Sequence, residues 1–372
     1  MNTNNTINTR KIVFDLLLRM EKGAYSPILL DSVLKKHEIR QKDKNFTAAL
    51  FYGVLERRIT LDYVIKKFTS SNPDSLVRNL LRMAVYQLMF MDSVPDSAAV
   101  NEAVEMAPKR AKGYVNAVLR NFLRNRKDSI SEELKGNPSV WYSCPEWLTE
   151  KWRLEYGEEA MLRILRTSLY KPPVFDRDGY VQDISSYKAC ELFNPQSGET
   201  VIDLCAAPGG KSFTIAKLMN NTGRVISCDI NQKKLRLVEK GAARLGLDII
   251  EVCANDAKVF NPAFPKSDRV LCDVPCSGLG VIRRKPEIKY KPEAEFEGLP
   301  SVQSQILRSS AGYVKDGGFL MYSTCTLSRA ENDDVVDGFL LDFNGFELVE
   351  KQTFIPAEDG GDGFFAALIK KI

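Results

Sequence analysis

The feature that most constrains this chain is a change of hydrophobic period partway along it. From residue 9 to about residue 127 the apolar residues recur at helical spacing, with almost no glycine-rich turns between them. Ile12, Val13, Leu16 and Leu17 open one such face, Phe46, Leu50, Val54 and Leu55 fall on another, and Val77, Leu80, Leu81, Ala84, Val85 and Leu88 make a third. The third is expected to end near Asp92-Ser93-Val94-Pro95, because proline disfavours helix in the residue before it. The last helix, 112–126, carries Val115, Val118, Leu119 and Phe122 on one side and Arg120, Arg124 and Lys127 on the opposite one.

After Gly179 short apolar runs alternate with helical windows, the pattern of an α/β domain with parallel strands. Strands are expected at 201–205, 224–228, 249–253, 269–272 and 319–323, with crossover helices at 232–245 and 301–314 and closing strands at 346–349 and 364–369. Such an order predicts a doubly wound sheet with ligands at the carboxyl ends of its strands. Between the two patterns, 135–171 is mixed, with Trp141, Trp147 and Trp152 beside Pro138 and Pro145, and reads as a connector with one or two helices. At 372 residues the chain is too long for one average domain, and we expect a helical domain at 1–130, a connector at 131–180 and an α/β domain at 181–372.

Charge follows the same division. Residues 1–130 hold 22 Lys+Arg against 13 Asp+Glu, and the remainder 30 against 35, so a net charge of only +4 hides a basic part joined to an acidic one. One part therefore suits a polyanion while the other does something else. A second basic run, Arg283-Arg284-Lys285, follows the fourth strand. Eight cysteines without a Cys-x-x-Cys pair, and a single histidine, His37, exclude a zinc site by spacing and a disulfide framework, and no metal is expected. His37 reads as a surface residue, and its isolation excludes a Ser-His-Asp triad within the C-terminal half. The first residues lack an apolar stretch after a basic start, and no long apolar run follows, so a cytoplasmic protein with no membrane partner is expected.

The chemistry concentrates at strand ends. Asp203-Leu204-Cys205-Ala206-Ala207-Pro208-Gly209-Gly210-Lys211 runs from a buried strand through a glycine pair into a helix, which lets backbone N–H groups approach a ligand closely. A phosphate-binding P-loop is excluded, because Cys205 stands where its first glycine is required, and no dinucleotide fingerprint is present. A smaller adenosyl ligand remains. Asp229 ends the second strand, where a carboxylate can accept from both ribose hydroxyls; Asp256 follows the third and Asp273 ends the fourth. An acidic rim also suits a cationic sulfonium.

Cys276 follows the fourth strand and Cys325 the fifth, at the same rim of the sheet, whereas Cys190, Cys228, Cys253 and Cys272 read as buried structural thiols. A pyrimidine ring is not nucleophilic at C5 until something adds to C6, and thiolates are strong nucleophiles. A cysteine beside a methyl donor thus points to C5 methylation of a pyrimidine.

The runs Asp203 to Lys211, Asp273-Val274-Pro275-Cys276-Ser277-Gly278 to Pro286, and Ser323-Thr324-Cys325-Thr326 resemble the motifs of the RNA cytosine-C5 methyltransferases. Gly113-Tyr114-Val115-Asn116-Ala117-Val118-Leu119-Arg120 is similar to the NusB-like RNA-binding domain of their RsmB (Sun/Fmu) branch, which acts on bacterial 16S ribosomal RNA. The resemblance implies a NusB-like bundle followed by a Rossmann-like class I S-adenosylmethionine-dependent methyltransferase domain acting on 16S rRNA, and a monomer is expected. It implies S-adenosylmethionine bound by Cys205, Ala206, Ala207, Pro208, Gly209, Gly210, Lys211, Asp229, Asp256 and Asp273. It also implies that Cys325 attacks C6, that Cys276 assists product release and that Asp273 hydrogen-bonds the cytosine edge. Two departures stand out. Val274 replaces the family's usual alanine, and the family's small α/β subdomain is missing where Phe175 passes almost directly to Val181. The second leaves open an RNA-binding relative with reduced or lost methyl transfer.

Overall fold

The helical spacing becomes α1 (Thr9–Met20), α2 (Ser26–Lys36), α3 (Gln41–Glu56), α4 (Arg58–Lys67), α5 (Ser75–Phe90), α6 (Asp96–Met106) and α7 (Lys112–Arg124), in a computed structural model that describes residues 8–36, 39–126, 132 and 134–372. Helix α5 is the hub. Leu80, Leu81 and Ala84 are fully buried and the polar Asn79, Arg82 and Gln87 are buried with them, with α1, α3, α4, α6 and α7 packed around. A buried charge needs partners. Arg82 makes two 2.7 Å bonds to the Asp62 carboxylate, and Gln87 accepts from Arg10 Nε at 2.8 Å. Asp74 caps the helix by accepting from the Val77 N–H at 2.9 Å.

In α7, Val115, Val118, Leu119 and Phe122 are buried while Arg120 and Arg124 are exposed, as the spacing predicts. Lys127 and His37 lie outside the described residues. The chain divides into two units, and this helical one, which extends to Lys151, also includes the distant segment Ile282–Lys291. There Glu287 accepts from both the N–H and the hydroxyl of Ser26 at the start of α2 (3.0 and 2.7 Å), and Tyr290 donates to the Leu55 carbonyl at 2.8 Å. Lys289 is 1% exposed and donates to the Glu56 carbonyl at 3.0 Å. Burial pushes the Glu56 carboxyl up to about 7 and the Lys289 ammonium down to about 8. Arg283 is buried, Arg284 half-buried and Lys285 exposed, so only part of the basic run 283–285 faces solvent.

The connector holds three helices among the described residues rather than one or two: α8 (Pro138–Trp141), α9 (Glu146–Tyr156) and α10 (Glu158–Thr167). The extra one is a single turn, stabilised by Pro138 at its start and by Asn137, which accepts from the Val140 N–H. The division between units falls within α9, between Lys151 and Trp152. In the second unit the Trp152 indole is fully buried and donates to the Leu327 carbonyl at 2.9 Å. The stretch 175–182 forms a closed turn: an Asp176–Val181 bridge and a 3.1 Å bond from the Gln182 N–H to the Phe175 carbonyl join its two ends. Arg177 lies 3.8 Å over the Tyr187 ring, and Tyr180 and Gln182 both meet the Thr214 hydroxyl, at 2.8 and 2.6 Å.

The described residues of this unit build a seven-stranded sheet from β1 (Thr200–Asp203), β2 (Arg224–Asp229), β3 (Ile250–Ala254), β4 (Ser267–Asp273), β5 (Val314–Thr324), β6 (Phe346–Phe354) and β7 (Phe364–Lys371), in the order β3-β2-β1-β4-β5-β7-β6. β1 to β5 pair in parallel, and β7 runs antiparallel to both β5 and β6. The helices α11 (Ile184–Phe193), α12 (Gly210–Leu218), α13 (Gln232–Leu245), α14 (Leu299–Ala311) and α15 (Asp333–Asp342) cover it. Four details differ from the sequence reading. α14 ends at Ala311, where the Gly312 N–H turns to the Ser309 carbonyl, and β5 begins at Val314, ahead of its apolar run, through a bulge at which the register jumps from Val314 to Phe319. β6 continues to Phe354 as a polar, exposed edge strand. Cys253 is half-exposed rather than buried, because β3 is the opposite edge. Among the described residues no helix is long and apolar enough to cross a membrane.

Replacing Leu80 with Ala at the centre of the helical unit should lower its unfolding free energy by about 2–5 kcal/mol in denaturant titrations. Replacing the exposed Arg120 and Arg124 with Gln should change it by less than about 0.5 kcal/mol each.

Candidate active site

The sheet order places β1 beside β4, and the chain leaves these two strands toward opposite sides, β1 toward β2 and β4 toward β5. That crevice is a cleft of about 270 Å³ lined by Cys205, Ala206, Ala207, Pro208, Gly210, Lys211, Asp203, Asp273 and Cys325. The glycine loop is tied at several points. The Ala206 N–H donates to the Cys228 carbonyl and the Gly209 N–H to the Ala206 carbonyl, both at 2.7 Å, and the Ala207 N–H reaches Asp229 Oδ2 at 3.3 Å. Gly209 has φ +114°, and a Cβ there would stand 2.4 Å from the Phe213 ring, so only glycine turns the chain into α12 at this point.

Lys211 and Asp273 face each other across the crevice at 2.7 Å, and Ser323 donates to the other Asp273 oxygen at 2.9 Å. Burial works against the Lys211 charge, but Asp273 and nearby thiols outweigh it and hold the ammonium above its ordinary value. Asp203 is fully buried. Its Oδ2 accepts from Ser212 at 2.7 Å while Oδ1 has no hydrogen-bond partner, and burial raises the carboxyl to about 7.

Cys276 Sγ and Cys325 Sγ stand 3.3 Å apart, so the structure brings together the two cysteines that the sequence singled out. The contact with Cys325 and burial push the Cys276 thiol well above its ordinary value. Gly280 closes this region from behind: a Cβ on it would stand 2.1 Å from the Gly363 carbonyl oxygen.

Of the residues implied for the cofactor, Gly209, Asp229 and Asp256 do not line the cleft. Asp229 accepts from the Ala207 and Asn231 N–H groups, and Asp256 from the Lys258 N–H. A second wall went unread in the sequence. Gln182, Asp183, Asp362 and Phe364 also line the cleft, with Asp183 accepting from the Asp362 N–H at 3.0–3.1 Å. Also unread were Gln303 and Glu331, which brace the Cys276 loop; a buried Glu in the run Arg329-Ala330-Glu331-Asn332 has no local signal. No group of three or more metal-ligating side chains occurs among the described residues.

Comparison with known proteins adds to this geometry. Residues 190–370 match the family 16S rRNA methyltransferase RsmB/F, and residues 7–124 match the NusB family. A Bacillus subtilis (strain 168) protein named probable ribosomal RNA small subunit methyltransferase B is 36% identical, covering 98% of this chain and 99% of its own length. That alignment spans 443 positions against 372 residues here, so at least 71 positions hold residues of the relative alone. Ribosomal RNA small subunit methyltransferase B of Cronobacter sakazakii (strain ATCC BAA-894) is 29% identical, over 98% of this chain and 99% of its own. The crystal structure of PH0851 shares the fold, with a TM-score of 0.76, 23% identity and coverage of 98% of this chain and 99% of that one.

The buried Asp203 makes a pH test. Its folded value of about 7 exceeds the unfolded one, so the folded state binds more protons between pH ~4 and ~7, and stability falls as pH rises through that window. Asp203→Asn should flatten this fall and stabilise the protein above pH 7 by about 2–4 kcal/mol in denaturant unfolding. Parallel curves for parent and variant from pH 5 to 9 would show that the carboxyl carries no such cost.

Proposed function

The chain belongs to the RsmB/F family of 16S rRNA methyltransferases, and from that premise we propose that it methylates C5 of a cytosine in 16S rRNA through a covalent bond from Cys325 to C6. The observation that carries this reading is the pair of thiols 3.3 Å apart, one of them lining the same cleft as the glycine loop.

S-adenosylmethionine supplies the methyl group in this family. The residues present fit it: the unpartnered Asp203 oxygen offers a buried acceptor, the glycine loop admits close backbone approach, and further carboxylates favour a sulfonium. Cys205 to Lys211 and Asp273 would hold it, with Asp229 and Asp256 at the neighbouring strand ends.

The chain's own residues account for the remaining steps. Cys325 Sγ adds to C6, forming the S–C6 bond and making C5 nucleophilic. Asp273, kept in place by Lys211 and Ser323, meets the cytosine edge and favours a proton on N3 as the adduct forms. Once C5 has been methylated, its proton passes to water, the C5=C6 double bond re-forms as the S–C6 bond breaks, N3 gives up the proton it gained, and the departing Cys325 sulfur takes a hydrogen from the Cys276 thiol 3.3 Å away, which solvent then restores. Two thiols held in contact also favour turnover over an RNA-binding relative that has lost it. We place the relatives' surplus residues at the closed turn 175–182.

Cys325→Ser should abolish transfer of a tritiated methyl group to 16S RNA while leaving S-adenosylmethionine affinity intact. Cys276→Ala should leave an RNase-sensitive, slow-migrating protein–RNA band on a denaturing gel; its absence would refute the division of labour.

The helical unit is read as the RNA grip, through the exposed Arg120 and Arg124 of α7. If both contact phosphates, changing the pair to Gln should weaken RNA binding and make its salt dependence shallower by about 1.4–1.8 in log–log slope, with cofactor affinity unchanged. Equal slopes for the pair variant and the parent would remove this face from the interface.

A further inference from the structure

The proposed chemistry requires the loops carrying Cys276 and Cys325 to stay in register, and two neighbouring buried residues, Glu331 and Asn332, tie one loop each. Glu331 is 2% exposed, and its Oε2 accepts from the Ser277 N–H at 2.8 Å and from Gln303 Nε2 at 2.9 Å. Gln303, fully buried, also donates to the Pro275 carbonyl at 2.9 Å. Both residues flanking Cys276 are thus tied to one carboxylate–amide pair. On the other side, the hydroxyls of Ser277 and Thr326 meet at 2.6 Å. Asn332, next to Glu331, accepts from the Thr324 hydroxyl at 2.6 Å and donates to the Thr326 carbonyl at 3.1 Å. The flanks of Cys325 therefore end in the same turn. Glu331 does not line the cleft, so any effect on the reaction passes through the cysteines.

We propose that Glu331 is the positioning residue that holds Cys276 against Cys325 for the release step. The inference rests on the division of labour proposed above. Removing the carboxylate would leave the Ser277 N–H and the Gln303 amide buried without their acceptor, and the Pro275–Ser277 segment would lose its brace. Addition by Cys325 does not need that brace.

The test uses the full chain, S-adenosylmethionine and a 16S RNA transcript, with Cys276→Ala as the reference. Glu331→Ala should lower turnover by about tenfold or more and accumulate the RNase-sensitive adduct, with cofactor affinity unchanged. Glu331→Gln keeps an oxygen that can accept from Ser277 and Gln303, and it should restore release. Gln303→Met, which cuts the tie to Pro275, should accumulate adduct as Glu331→Ala does, and it serves if Glu331→Ala does not fold. Loss of turnover without adduct, in step with a lowered melting temperature, would overturn the proposal in favour of a purely structural role. Parent-like turnover in Glu331→Ala would overturn it too. If Cys276→Ala itself traps no adduct, the division of labour falls, and this inference falls with it for a reason the reference variant makes visible.

Discussion

Everything in the catalytic unit depends on the parallel pairing of β1 with β4, in which Asp203 stands opposite Leu271. Because the chain departs from these neighbours in opposite directions, their carboxyl ends cannot be covered by a single crossover, and a crevice stays open between them. The glycine loop forms one bank and Asp273 the other, and the Lys211–Asp273 ion pair spans the gap. β5, paired with β4 through Asp273–Ser323, then delivers Cys325 beside Cys276. The site is a consequence of strand order more than of any one side chain.

The same region carries buried charges that contribute little to stability by themselves. Asp203, Lys211 and Glu331 each lose solvation, and each is met by partners: a serine hydroxyl, a carboxylate, and an amide with one backbone N–H. Breaking such a group costs more than the group contributes, because the partner is left buried and unpaired. The cleft is therefore a place where polar residues hold geometry, while the apolar clusters on the two faces of the sheet hold the fold.

Much of the fold was legible because it rests on local signals. Helix α13 runs over the residues its spacing gives, since Asn231 caps one end and Gly246 stops the other. The parallel strands are apolar runs because both their faces are covered. Where a long-range effect decides, the sequence was silent. β6 is an edge strand of Glu, Lys and Gln held by pairing with β7, and Cys253 is half-exposed because β3 is an edge. In the site, the glycine loop, Asp273 and both cysteines could be read from strand ends. Asp183, Asp362, Gln303 and Glu331 could not, since a buried carboxylate and a solvated one look alike until the fold brings up their partners. The ten residues from Ile282 belong with the helical unit through Glu287, Lys289 and Tyr290, contacts across more than two hundred residues of sequence.

The closed turn at 175–182 bears on how such a chain changes over time. Its two ends are already hydrogen-bonded to each other, and its anchors, Arg177 on Tyr187 and Tyr180 on Thr214, belong to the catalytic unit's own helices. A site whose entry and exit lie side by side can gain or shed a whole module without altering the path of the chain on either side. The turn is thus a natural graft point, and proteins of this architecture can acquire or discard an accessory lobe there while the strands that carry the chemistry keep their places.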